Sequence, residues 1–162
     1  MNGLVCSTHT VSDKGNKMNK IDSFKDEYFF LSNFYPCKIF YDGLIYTSVE
    51  SAYQSSKTLS PIIRKDFINL SPSEAKLKGR KISLRPNFDN IKYNIMYELV
   101  SFKFVSNPEL SKKLLETKDT IIIEGNYWND TYWGVCDNTG KNNLGIILMQ
   151  VRENLKIINK IA

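Results

Sequence analysis

Thr120-Ile-Ile-Ile-Glu-Gly-Asn-Tyr-Trp-Asn-Asp-Thr-Tyr-Trp-Gly134 contains both tryptophans of the chain. Its opening run, Thr120 to Glu124, is the best strand candidate in the sequence, because β-branched residues fit a pleated, half-buried surface. Glu124 to Gly134 is too polar for a core strand and too aromatic for an ordinary loop, with two tyrosines, two carboxylates and two asparagines beside the tryptophans. Flat apolar faces next to acids and amides suit a polar ring such as a nucleobase or sugar, since the rings supply stacking area and the polar groups fix orientation. Gly140-Lys-Asn-Asn-Leu-Gly145 follows and opens an apolar-periodic segment, so a small-molecule site is expected here.

Working outward, the periodicity predicts a last helix over about Asn142 to Ile158, with Leu144, Ile147, Leu148, Val151, Leu155 and Ile158 facing inward. Phe88 to about Val105 is a longer helix, and Asn107-Pro108 begins a shorter one bearing Leu110, Leu114 and Leu115. Ser71-Pro72-Ser73-Glu74 is a capping box whose helix closes at Gly79, and Ser60-Pro61 starts another short helix through Phe67. Thr47-Ser-Val-Glu50 reads as a further capping box, opening a helix to about Lys57. Cys37 to Tyr41, Asp42-Gly43 and Leu44 to Tyr46 read as a hairpin, Asp-Gly suiting a turn with positive φ at both central residues. The aromatic-rich Ile21 to Pro36 is expected as a strand or extended segment followed by a turn. Residues 1 to about 20 are polar and aperiodic and are expected to form a disordered tail, with Met18 an alternative start. Residues 21–162 make one domain of the α+β class, mostly helical with a small β-sheet.

Composition removes several function classes. The one histidine of the chain, His9, sits in the tail, so a Ser-His-Asp or Cys-His hydrolase and histidine-based metal sites are not expected. Acid–base chemistry falls to carboxylates, lysine or tyrosine. Cys6, Cys37 and Cys136 are too scattered for a disulfide framework or a cysteine zinc site. No apolar run approaches the roughly 18 to 20 residues of a membrane span, and no signal-peptide pattern opens the chain, so a cytoplasmic location is expected. The net charge of +5 is uneven: Ser60 to Lys118 holds twelve basic and six acidic residues. That surplus suits a phosphate-bearing ligand or merely a solvated helical face.

Glu50, Tyr53, Gln54 and Lys57 share one helical face, as a cleft wall requires; alternatively Glu50 only completes the Thr47 cap and the other polar groups face solvent. Asn33 suits reading a base edge or a ribose hydroxyl, or making an Asx turn. Arg80, Lys81 and Arg85 form the densest basic knot, and guanidinium groups bind phosphate bidentately. Phe88 suits stacking or core packing. Asp130, between the tryptophans, suits a buried acid or a turn. Lys141 and Asn142 precede a helix N-terminus, where backbone N–H groups favour anions.

Taken in order, these residues resemble the NADAR or YbiA-like family. The resemblance is carried by Phe30-Leu-Ser-Asn-Phe34, Asp42-Gly43, Tyr46-Thr-Ser-Val-Glu50, Tyr53-Gln54 and Lys57, then by Glu74-Ala75, Gly79-Arg80, Asn87-Phe88-Asp89, Met96, Lys103-Phe104 and Asn107-Pro108. It closes on Ile123-Glu124, Asn129-Asp130-Thr-Tyr-Trp-Gly134, Gly140-Lys-Asn-Asn-Leu-Gly145, Leu148-Met149 and Arg152. The resemblance implies a YbiA-like fold and cleavage of an N-glycosidic bond between ribose C1′ and a nitrogen. The implied substrates are phosphoribosylated pyrimidine intermediates of riboflavin synthesis or ADP-ribose attached to guanine, with ADP-ribosylated nucleic acid as a further partner and no cofactor or metal. Carried over residue by residue, Glu50, Lys57 and Asp130 are active-site candidates. Asn33, Gln54, Arg80, Phe88, Trp133, Gly134, Lys141 and Asn142 are candidate binding residues. Ser51 stands where the family often has histidine, and Phe88 where tryptophan is common. A non-catalytic ADP-ribose sensor and a nucleic-acid-binding protein are the competing readings.

Overall fold

Two short β-ladders accompany a bundle of helices in the computed structural model, which describes residues 19–161. Of the tail expected over residues 1 to about 20, residues 1–18, with Cys6, His9 and Met18, lie outside the described residues. Strand β1 (Lys20–Ile21) pairs in parallel with β4 (Ile121–Ile122), and β2 (Ile39–Tyr41) pairs with β3 (Leu44–Tyr46) as an antiparallel hairpin. The helices are α1 (Val49–Ser55), α2 (Pro61–Lys65), α3 (Pro72–Gly79), α4 (Phe88–Val105), α5 (Pro108–Glu116) and α6 (Asn143–Ile161). The class is α+β, with the expected small sheet divided into two separate ladders.

The hairpin turn is formed as its residues require, with Asp42 at φ +47° and Gly43 at φ +77°. Ser71 caps α3 reciprocally with Glu74. The other expected capping box is corrected. Ser48, not Thr47, caps α1 by accepting from the Ser51 N–H at 3.1 Å, while Thr47 Oγ1 donates to the Leu70 carbonyl at 2.7 Å. Glu50 is therefore no cap partner, and its carboxylate is free for another task. The stretch after Ile21 is also not a strand: Asp26–Leu31 is a 3₁₀ helix. Its aromatics run consecutively rather than alternating, and burying the adjacent pair Phe30 and Leu31 suits a three-residue turn better than a pleat.

All seven residues of α1 are buried, so this short polar helix is the centre of the molecule. Helix α3 lies so close to it that a Cβ on Gly79 would stand 1.9 Å from Gln54 Oε1. Gly79 is the last residue of α3, and this close approach rather than a left-handed cap accounts for it. Leu99, Val100 and Phe104 of α4 pack with Leu144, Ile147, Leu148 and Val151 of α6 in one continuous core. No helix among the described residues is long and apolar enough to cross a membrane.

Where α6 starts, Gly145 touches β4: a Cβ there would sit 2.3 Å from the Ile122 carbonyl oxygen. Gly145→Ala must push α6 off the strand, and overpacking of this kind costs about 1–3 kcal/mol. Urea unfolding should show a lowered midpoint at unchanged slope; an unshifted midpoint would mean that the contact is slack.

Candidate active site

Glu50, Tyr53 and Gln54 of α1 and Lys57 just beyond its end form one wall of a cavity of about 720 Å³. Helical spacing puts them there: i, i+3, i+4 and i+7 fall on one face. Asn33 and Phe34 line the next side. The Asn33 carbonyl accepts the Glu50 N–H at 3.0 Å, and buried Lys103 donates to the Ser32 carbonyl at 2.8 Å. Burial pushes the Lys103 amine down to about 8. Glu124, Asn126, Trp128, Asp130 and Trp133 close the far side.

The aromatic loop is rigid by construction. Asn142 Oδ1 accepts the Glu124 N–H at 2.9 Å, and its Nδ2 donates to the Ile122 carbonyl at 2.9 Å. Asn126 makes two bonds across the loop to the Asp130 backbone, at 2.8 and 3.0 Å. Asp130 Oδ1 accepts the N–H groups of Tyr132 and Trp133 at 3.1 and 2.9 Å. Asp130 thus combines both expected roles, as a turn residue that also faces the cavity. Trp133 meets Tyr53 edge-on at 5.6 Å between ring centres, joining the loop to α1.

Of the residues expected to bind, Asn33, Gln54 and Trp133 line this cavity with Glu50, Lys57 and Asp130, whereas five others stand outside its wall. Phe88 is buried behind Tyr53, their ring centres 5.9 Å apart. Gly134 works through its missing side chain, since a Cβ would lie 2.2 Å from the Glu124 carbonyl oxygen. Asn142 has its amide committed to the strand, and Lys141 is exposed with Nζ 5.5 Å from the Tyr132 ring centre. Arg80 is exposed at the end of α3.

Sequence reasoning passed over Glu124 and Lys76 as site residues. Lys76 stands at the mouth, its Nζ 5.7 Å from the Phe34 ring centre and 5.5 Å from that of Trp128. Its position on α3 carried no motif of its own. Glu124 was visible as the acid ending the strand, but only the fold turns it into the cavity.

Three carboxylates, Glu50, Glu124 and Asp130, now face one space with Lys57 and Lys76. Burial raises the Glu50 carboxyl, opposed by the Gln54 amide donating to Oε1 at 2.8 Å and by Lys76 and Lys57. Glu124 is pushed up to about 8, first by burial, then by the charges of Asp130 and Glu50, with Lys76 alone pulling down. Burial also lowers the Lys57 amine, and Glu50 opposes that shift. Asn33 Oδ1, Gln54 Oε1 and Glu124 Oε2 are enclosed and have no donor among the described residues.

Comparison with known proteins fits this arrangement. The NADAR domain family matches residues 20–156. The chain is 36% identical to N-glycosidase YbiA of Shigella boydii over 139 residues, 83% of this chain and 86% of that one. A riboflavin biosynthesis protein of Vibrio vulnificus is 34% identical over 131 residues, spanning 78% of this chain and 35% of that protein. The NMR structure of Escherichia coli YbiA superposes with a TM-score of 0.77 at 32% identity, over 88% of each chain.

The titration of Glu124 has a consequence for stability. With a native value of about 8 against an ordinary 4.5, the folded state keeps a proton that the unfolded chain releases. Stability therefore falls as pH rises from about 4.5 to about 8, and this contribution levels off above that. Glu50 is shifted in the same direction. Urea unfolding from pH 5 to 8 should show a falling midpoint, with a shallower fall in Glu124→Gln. Parallel slopes in the two proteins would contradict the assignment.

Proposed function

This chain belongs to the NADAR domain family and is an N-glycosidase, and we propose that it hydrolyses the bond between ribose C1′ and a base or amine nitrogen. The proposed substrates are phosphoribosylated pyrimidine intermediates of the riboflavin type or ADP-ribosylated guanine. The observation that carries this reading is the cavity wall itself: aromatic rings beside enclosed oxygens of Asn33, Gln54 and Glu124 that lack donors, next to the Glu50 carboxylate. A buried acceptor without a donor costs about 1–3 kcal/mol, so these atoms favour a ligand rich in hydroxyl and N–H groups, such as an aminated ribose.

Cleavage of an N-riboside builds positive charge on C1′ and the ring oxygen. Glu50 opposes that charge and activates the attacking water, with Asp130 as a second negative group. Lys57, half-buried and with its amine made less basic by burial, is suited to a second route. In that route an exocyclic amine on the ribose opens to an iminium, which the lysine intercepts as a Schiff base. Lys76 and Lys57 at the cavity supply cations for a phosphate. Neither route calls for a metal or a cofactor. The free thiols of Cys37 and Cys136 suit a reducing compartment, in keeping with the cytoplasm.

The test is a paired turnover assay on a phosphoribosylamino-pyrimidine and on DNA carrying ADP-ribosylated guanine. Glu50→Gln should lose about 10²–10⁴-fold in release while still binding substrate, the range expected of a positioned acid–base group. Borohydride should trap an adduct on Lys57 only if the covalent route operates; full activity without an adduct rejects that route. No release from either substrate, with ADP-ribose still bound, would identify a sensor instead.

A further inference from the structure

Departure of an amine or base nitrogen from C1′ leaves a poor anion unless a proton arrives with it. We propose that Glu124 is the acid that protonates the departing nitrogen, leaving Glu50 to face C1′ as the carboxylate. This assignment rests on the N-glycosidase reading above.

Four observations place Glu124 in that role. Its side chain lines the cavity, opposite α1, and Oε2 is enclosed without a hydrogen-bond partner among the described residues. Its backbone is pinned on both sides: the N–H is held by Asn142 at 2.9 Å and the carbonyl accepts the Val135 N–H at 2.8 Å. The strand exit thus fixes the Cα from which the side chain enters the cavity. Each competing acid already has one oxygen engaged. Asp130 Oδ1 already accepts two backbone N–H groups, and Glu50 Oε1 accepts from Gln54.

The charges around it agree. Glu124 faces Asp130 from the aromatic loop, Glu50 and Lys57 from the α1 side, Lys76 from α3 and Lys25 from before the 3₁₀ helix. Burial first, then the charges of Asp130 and Glu50, hold its proton near neutrality against the pull of Lys76. Burial raises Glu50 too, but there an amide donor and two lysines oppose the shift. Both carboxyls are raised by burial, so the division of roles rests on their partners: Glu50 Oε1 is held by the Gln54 amide, whereas Glu124 Oε2 faces the cavity without one.

The step balances as follows. The C1′–N bond breaks with its electron pair going to nitrogen, which takes the Glu124 proton. Water oxygen then bonds to C1′, and its proton passes to Glu50. Return of that proton to Glu124 through solvent restores the enzyme, leaving a free ribose hemiacetal and a neutral N–H leaving group.

The experiment compares two leaving groups in wild type, Glu124→Gln and Glu50→Gln. One substrate is the phosphoribosylamino-pyrimidine, whose nitrogen needs a proton. The other is a ribosylpyridinium 5′-phosphate, whose pyridine departs neutral without one. Glu124→Gln should lose at least about 100-fold on the first substrate and less than about fivefold on the second. The alkaline limb of kcat/KM near pH 8 should disappear. Glu50→Gln should fall on both. Glu124→Asp, which keeps the acid one carbon shorter, should recover part of the first activity, and a melting curve for each variant confirms folding. Equal losses of Glu124→Gln on both substrates, or an unchanged alkaline limb, would overturn the assignment. Wild type that releases base from neither, nor from DNA carrying ADP-ribosylated guanine, would instead bring down the glycosidase reading on which it stands.

Discussion

The carboxamide of Asn142 is the joint on which the site depends. It bonds the Ile122 carbonyl and the Glu124 N–H at once, so the start of α6 grips the exit of β4 from both sides of Ile123. Asn142 takes a left-handed conformation to do this, at φ +52°, which asparagine tolerates better than most residues. Gly145 and Gly134 remove the Cβ atoms that would block the same approach. From that joint the loop leaves with Glu124 already aimed, and the Asn126 and Asp130 bonds fix the rest of its course. A helix start expected to bind an anion is thus used inward, as a clamp on the acid.

What the clamp holds is a set of charges that folding alone would not favour. Burying a carboxyl among other carboxyls costs stability unless it stays protonated, and Glu124 does so. Glu50 is stabilised differently, by an amide four residues along its own helix, in the one geometry where i and i+4 side chains meet. The polarity of α1 follows from this. A fully buried helix would ordinarily be apolar, whereas Val-Glu-Ser-Ala-Tyr-Gln-Ser reads as a surface helix. It is tolerated because Ser51 bonds the Phe67 carbonyl, Ser55 the Ala52 carbonyl and Gln54 the Glu50 carboxylate.

Local chemistry decided what could be read from the sequence. The hairpin was legible because Asp42-Gly43 specifies its own turn, α3 because Ser71 and Glu74 cap each other, and α6 because its apolar stripe runs from Leu144 to Leu155, although Ile158, expected inward, is exposed. The cap of α1 was misplaced by one residue because Thr47 and Ser48 are equally able to cap, and only the Leu70 carbonyl, 23 residues away, takes Thr47 out of contention. In the site, Glu50, Gln54 and Lys57 were visible through helical spacing. Glu124 and Lys76 were not, since each reaches the cavity through contacts distant in sequence. Phe88 was a candidate ring by type, but Tyr53 lies between it and the cavity.

The basic surplus of the middle region shows the same dependence on the fold. Counted along the sequence it suits a long stretch of phosphates. In space it is divided among unrelated tasks. Arg64 pairs with Asp42, Lys78 with Asp66 and Lys92 with Asp89, and Lys103 is buried under the Ser32 carbonyl. Lys76 alone of that region lines the cavity, held between Phe34 and Trp128. A polymer-binding surface needs many phosphate contacts at once, because its affinity comes from releasing many counterions. One lysine between two rings, above a cavity with Lys57 and Lys25, offers no such row of contacts and is in keeping with the single phosphorylated sugar proposed above. The charges lining the cavity therefore count against a many-phosphate polymer site there and are in keeping with the nucleotide-sized substrate proposed above.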